Sequence, residues 1–222
     1  MSANHFWQTR EESWAYLQGT HPSKVSVLVS LFQHIDRCVD AYEAKSNSDT
    51  YARICGLTLL KAKNLGLGSL SLLLDGLGQE CGALLRPMLE YTELLTYFHK
   101  FPGATTLAAG NELPKAGQRA NAIGGKFQAL REHLNQHASH SSYSHPSLSH
   151  LLTRDFAFRK MQEFVPQVLE ANLKNLVLHH LILLQEAVIA LERVDQVEYE
   201  ELADSTDRLK NRAFDVYQVS ET

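Results

Sequence analysis

At 222 residues and 25.0 kDa, with 44% hydrophobic and 21% charged residues, the chain has the composition of one ordinary globular domain, which excludes a disordered or fibrous polymer. Lys and Arg number 21 against 25 Asp and Glu; the formal charge of -4 removes the broad basic field of phosphate-dominated nucleic-acid binders and leaves room only for a local basic patch. The three cysteines, Cys38, Cys55 and Cys81, form no Cys-x-x-Cys pair and no disulfide ladder, so a reducing cytoplasm is expected.

Residues 1–20 carry charges of both signs and no apolar run, and read as an N-terminal extension without a secretory signal. From Pro22, the residues Val25, Leu28, Val29, Phe32, Ile35, Cys38, Val39 and Tyr42 recur at spacings of three and four and predict a first long helix ending near 45–48. Ser48 or Asp49 can cap a second, with Ile54, Leu57, Thr58, Ala62 and Leu65 on one face, until Gly66 and Gly68 predict a kink or turn. After Asp75-Gly76, a third helix carries Cys81, Leu84, Leu85, Met88, Leu89, Leu94, Leu95 and Phe98, with a bend expected at Pro87 and a stop at Phe101-Pro102-Gly103.

Residues 102–114 read as a loop, and a fourth helix is expected over about 116–138 with the stripe Ile123, Phe127, Leu130, Leu134 and His137. The Ser-rich segment His140–Pro146 does not continue it, and a short apolar stretch follows at about 148–158. A long helix over about 165–194, with Pro166 in its first turn, is apolar on most sides and therefore central. A last amphipathic helix runs from about 198 to 217, its face holding Tyr199, Leu202, Thr206, Leu209, Ala213 and Tyr217. No segment alternates with period two, and the two most apolar windows, 65–74 and 176–191, are too short or too interrupted for a membrane span. The expected architecture is a single all-α domain, a bundle of about five to seven helices around a core spanning 22–195, with 196–222 as a C-terminal amphipathic helix.

Five of the eleven histidines, His133, His137, His140, His145 and His150, fall within 18 residues, where an even spread gives about one. On a helix, His133, His137 and His140 would line one side, and neutral imidazoles ligate transition metals. The first and third are about 10 Å apart along the axis, so at most two would share an ion. The alternative is a solvated helix end running into a polar loop. Glu-x-x-His, the mark of carboxylate-bridged di-iron bundles, is absent, as are His-Glu-x-x-His, a Walker loop and a Gly-x-Ser-x-Gly elbow. Gly76, Gly78 and Gly82 miss the dinucleotide spacing, because Cys81 stands where the third glycine belongs. No cofactor and no resident metal is implied.

Two further spacings stand together. Arg86-x3-Glu90 sits on an otherwise apolar helix, where a buried guanidinium demands an acceptor and Glu90 is one turn away. Ser141-x3-His145 follows some fifty residues later. In this pairing the chain, over roughly residues 50–195, resembles a bacterial all-helical family related to the HEPN-like domains, in which Arg-x3-Glu on one long helix is followed by Ser-x3-His before a long apolar helix. The resemblance implies Arg86, Glu90, Ser141 and His145 as site residues. Many HEPN domains are metal-independent endoribonucleases built around an Arg-to-His spacing, commonly at a dimer interface, while others are non-catalytic binding modules. Arg131-x5-His137 is the one such spacing here, six residues or about 240° apart on a helix.

Three functions follow. A non-catalytic binding or interaction module uses the polar Arg/Glu/His pocket. A metal-independent ribonuclease takes a 2'-hydroxyl proton with His145 or His137 and stabilises the phosphate with Arg86 or Arg131. A histidine-ligated metalloenzyme uses the cluster. The expected partners are RNA or protein, with no membrane, and self-association is expected because Tyr199, Leu202 and Leu209 seek a surface to cover them.

Overall fold

A computed structural model describes residues 5–137 and 163–219, together with Leu152, Asp155, Ala157 and Phe158 between them. Among the described residues there are nine helices and no strand; Leu152 and Phe158 form one isolated antiparallel bridge. In chain order the helices are α1 (His5–Thr20), α2 (Pro22–Lys45), α3 (Thr50–Leu74), α4 (Gly78–Lys100), α5 (Ala104–Ala109), α6 (Ala116–Ala122), α7 (Gln128–His137), α8 (Pro166–Leu191) and α9 (Gln196–Tyr217).

The ends follow local chemistry. Asp49 caps α3 by accepting a hydrogen bond from Tyr51 N at 2.8 Å, and Asp195 caps α9 through Val197 N and Glu198 N. Proline occupies the first turns of α2 and α8, where its missing N–H costs nothing. Gly76 takes φ 79° at the α3–α4 turn.

Nine helices exceed the expected five to seven for three reasons. Residues 5–20 are a helix of the bundle, not an appendage: Leu17 is fully buried, and Arg10 reaches Asp75 with contacts of 2.6 and 2.7 Å. The stretch read as a loop after Pro102 closes into α5. The predicted fourth helix is two, because Gly124 and Gly125 adopt φ 75° and 67°, a left-handed pair that no α-helix continues through.

Conversely, α3 runs unbroken through Gly66 and Gly68, where a kink was expected. A Cβ at Gly66 would lie 1.8 Å from His180 Nε2, so this glycine exists to let an imidazole onto the helix backbone. Packing outweighs the roughly 1 kcal/mol of helix propensity that each glycine forfeits. Helix α4 likewise passes Pro87 without interruption.

Helix α8 lies against α1, α2, α3, α4 and α9 and is buried over more than half its length. Five of its leucines, Leu173, Leu176, Leu183, Leu184 and Leu191, are wholly removed from water, each contributing roughly 2 kcal/mol of transfer free energy. Tyr42 and Tyr51 donate their hydroxyls to its carbonyls at Ala187 (2.7 Å) and Ala190 (3.2 Å). Both α3 and α8 are long and apolar enough to cross a membrane by length and composition, contrary to the expectation from the sequence windows; 67% of the apolar window of α8 is buried inside the bundle, and 33% of that of α3. The face of α9 expected to seek another molecule is spent within the chain, since Leu202 and Leu209 are buried where α9 crosses α2 and α8.

His180 is the most demanding group in this core. Its Nδ1 lies 2.7 Å from Leu176 O; a carbonyl only accepts, so Nδ1 carries the proton and Nε2 keeps a bare lone pair against Gly66. Complete burial pushes its pKa down to about 4. The folded value is therefore below the unfolded one near 6.5, and the unfolded chain alone takes up a proton as pH falls through that interval. Stability should be flat above about pH 6.5 and decline by roughly 3 kcal/mol towards pH 4. Glu170, held near 2 by Lys24 and Tyr16, loses its contribution at lower pH still. Urea denaturation across pH 4–8 measures this, and His180→Gln should flatten the upper part of the decline.

Candidate functional site

Two buried carboxylates and a buried imidazole stand on α4 and α8 and, with more exposed cations of the segment around α7, form one polar seam. Helix α4 brings Glu93 and Thr96, α8 brings His179 and Glu186, and the segment around α7 brings Lys126, Arg131 and His133. Both glutamate side chains are 5% exposed. Each has a cation. Arg131 Nη2 donates to Glu93 Oε2, and Lys126 Nζ lies 2.6 Å from Glu186 Oε1. Thr96 donates its hydroxyl to the other Glu186 oxygen at 2.7 Å, tying α4 to α8.

His179 and Glu186 are seven residues apart, two turns, and so share one face of α8. The His179 Nδ1–H is committed to Asn175 O at 2.7 Å, and Nε2 is buried without a partner. Burial lowers the pKa of this imidazole, opposed by the backbone hydrogen bond, and a charge on His133 would lower it further. It is thus a neutral acceptor on the side of α8 that faces α7. Arg131 Nε and His99 Nδ1 are also buried and unpartnered. Burial lowers the His99 pKa first, then the nearby charge of Arg193. Burial raises the Glu93 carboxyl above its ordinary range, and Arg131 pulls it part of the way back.

The residues expected from the sequence divide. Arg86 is exposed and Glu90 half-buried, and no ion pair or hydrogen bond between them is present. The expectation of a buried, self-satisfied Arg86–Glu90 pair is therefore corrected: leucines flank Arg86 in sequence, but each helical residue turns about 100°, and position 86 turns outward between Leu85 and Met88. Arg131 does reach the interior, with Glu93 as its partner in place of any residue singled out from the sequence. His137 ends α7, which is unbroken from Gln128, so positions 131 and 137 lie about 240° apart around one helix. Ser141 and His145 lie outside the described residues, as do His140 and His150.

Glu93, Glu186 and His179 were missed. Glu93 had a signal, for it stands in the four-residue series Leu85, Leu89, Glu93, where the core face calls for another apolar residue. Among the described residues, no three His, Cys, Asp or Glu side chains converge to hold a metal ion. Burial pushes the thiols of Cys38, Cys55 and Cys81 up to about 12, so none is a ready nucleophile. A separate groove of about 180 Å³ between α2 and α3, lined by Val39, Tyr42, Glu43, Arg53, Leu57 and Leu60 among others, contains none of the candidate residues.

No protein-family model matches the chain, and neither a curated protein nor a solved structure does.

Removing Arg131 alone, as in Arg131→Met, leaves Glu93 as an uncompensated buried charge and should cost about 3 kcal/mol at pH 7. Adding Glu93→Gln to that variant should restore most of the loss. A double-mutant cycle by urea denaturation reads the coupling directly.

Proposed function

We propose that this chain is a HEPN-like helical binding module, non-catalytic, whose binding site is the polar seam between α4, α7 and α8. The observation that supports it is the set of buried nitrogens without partners on the helices of that seam, above all His179 Nε2. Polar groups buried in a merely structural core are almost always hydrogen-bonded, and an orphan asks for an explanation. An acceptor held neutral at physiological pH, in a seam that also holds two buried carboxylates and a guanidinium whose buried Nε–H has no partner, suits recognition of a ligand that donates hydrogen bonds. The partner is RNA or a protein under the HEPN-like resemblance, and the buried carboxylates favour protein, because they repel phosphate.

A metal-independent ribonuclease is the second reading, and one observation favours it. A neutral imidazole with a free Nε2 and a guanidinium on facing elements are the two groups that metal-free cleavage of RNA uses, one to take the 2'-hydroxyl proton and one to meet the phosphate charge. Incubation of the folded protein with RNA in excess chelator separates the readings. The binding module leaves several RNAs intact over long incubation. Cleavage that drops by on the order of 10² in Arg131→Ala or His179→Ala, with folding verified, would replace it with the nuclease. Occupation of the seam has its own readout: the ring ¹⁵N resonance of His179 Nε2 moves when a donor reaches it, and stays put if the seam binds nothing.

A cytoplasmic setting belongs to the same proposal and draws on the three free thiols. Self-association does too. With the α9 face buried, the apolar surface that supports it is on α3, where Leu57, Leu60 and Leu67 are 50%, 38% and 44% exposed. Sedimentation at high micromolar concentration should give twice 25.0 kDa, reduced to the monomer by Leu60→Glu with Leu67→Glu.

A further inference from the structure

The two sides of the seam are built differently. Glu93, Thr96, His179 and Glu186 stand on α4 and α8, two long helices locked into the apolar core. Lys126 and Arg131 come from the segment 116–137, which is held far more lightly. Helix α6 buries no residue at all, Gly124-Gly125 forms a left-handed joint, and Phe127 and Leu134 are the buried apolar anchors of the segment. The lysine is itself 46% exposed while the carboxylate that it meets is 5% exposed.

The floor is made of acceptors. Two carboxylates and the bare Nε2 of His179, a residue 6% exposed, all present lone pairs, and the single hydroxyl, on Thr96, already donates to Glu186. Such a surface selects cationic N–H donors. We propose that the acceptor-bearing face of α4 and α8 beneath the segment 116–137 forms, when that segment leaves, a groove that recognises a basic peptide segment, and that Lys126 and Arg131 occupy it as an internal ligand which an incoming segment displaces. This rests on the binding-module reading above and names its ligand.

The internal occupant shows what the groove reads. Along the chain it offers a lysine, an aromatic residue at once after it, an arginine five residues on and a leucine three beyond that, and all four are engaged: Lys126 on Glu186, Phe127 in the core, Arg131 on Glu93, Leu134 in the core. Alternation of cation and apolar anchor is a property of a peptide, since a polyamine has charges and no side chains to fill the Phe127 and Leu134 sockets. A nucleic acid would set its phosphates against two buried carboxylates. The tether makes Lys126 and Arg131 present at a high effective concentration, so an external segment sees only the fraction of molecules in which the arm has left.

The probe is a fluorescent synthetic peptide with the sequence of residues 116–137, titrated into the full chain. The double variant Lys126→Gln/Arg131→Gln, shown to be folded by circular dichroism and a cooperative melt, should bind it about tenfold or more tightly than the wild type does, because the internal competitor is weakened. A peptide carrying the same two substitutions should lose at least that factor. Equal binding to both proteins overturns the proposal, and so does spermine displacing the peptide at matched concentration, which would assign the groove to small polyamines. If the double variant does not fold, hydrogen exchange on the wild type decides. Amides of 116–137 should exchange by local opening, well ahead of those in α4 and α8, and faster when unlabelled peptide is added in excess; exchange at the rate of α4 and α8, indifferent to peptide, overturns it. Failure here with a His179 ¹⁵N shift caused by some other ligand removes the basic peptide and keeps the binding module, whereas no shift with any ligand removes both.

Discussion

Helix α8 carries two imidazoles and a carboxylate into the interior together with its leucines, and a polar group taken out of water costs on the order of 1–3 kcal/mol when its hydrogen bonds are not replaced. Helices α2, α3 and α4 and the arm before α7 each answer one of those groups. The histidines turn their Nδ1 protons onto carbonyls one turn back along α8, which leaves two bare nitrogens about 100° apart around the helix. On one side α3 meets His180 with a glycine and α2 lays Phe32 against its ring at 5.1 Å. On the other, Glu186 draws in Thr96 from α4 and Lys126 from the arm before α7.

The same arrangement separates two kinds of attachment. Helices α3, α4 and α8 are joined through extensive apolar contact, which depends little on salt. The segment 116–137 is joined by two buried apolar anchors, Phe127 and Leu134, and by two ion pairs to buried carboxylates. A buried pair gives little net stability, because the desolvation of both charges offsets most of the attraction, yet breaking it from one side leaves a charge exposed to a low dielectric. Such contacts specify a docking position more than they strengthen it. That is the physical difference between a helix of the scaffold and an element poised to leave.

Much of this architecture was legible in the residues. The three- and four-residue spacing of Val25 to Tyr42, the apolar density of 165–194 and the proline, aspartate and glycine punctuation mark helices within a few residues of their observed ends. Less of the site was legible. Arg86 drew attention because leucines surround it in sequence, but sequence adjacency is not spatial adjacency on a helix, and the guanidinium points outward. Glu93 and Glu186 were passed over because a lone carboxylate in an apolar stripe looks like noise until its cation is known, and the cations come from 38 and 60 residues away.

By itself the sequence determined the all-helical class, the central place of the 166–191 helix and the cysteines' lack of pairing, because those depend on periodicity, composition and short-range capping. Tertiary structure alone decided that Gly66 extends a helix instead of ending it, that Leu202 and Leu209 are covered within the chain, and that Arg131 belongs to Glu93. Each of these turns on a contact between residues far apart along the chain, and a long-range contact replaces a local preference of about 1 kcal/mol whenever the burial it secures is worth more.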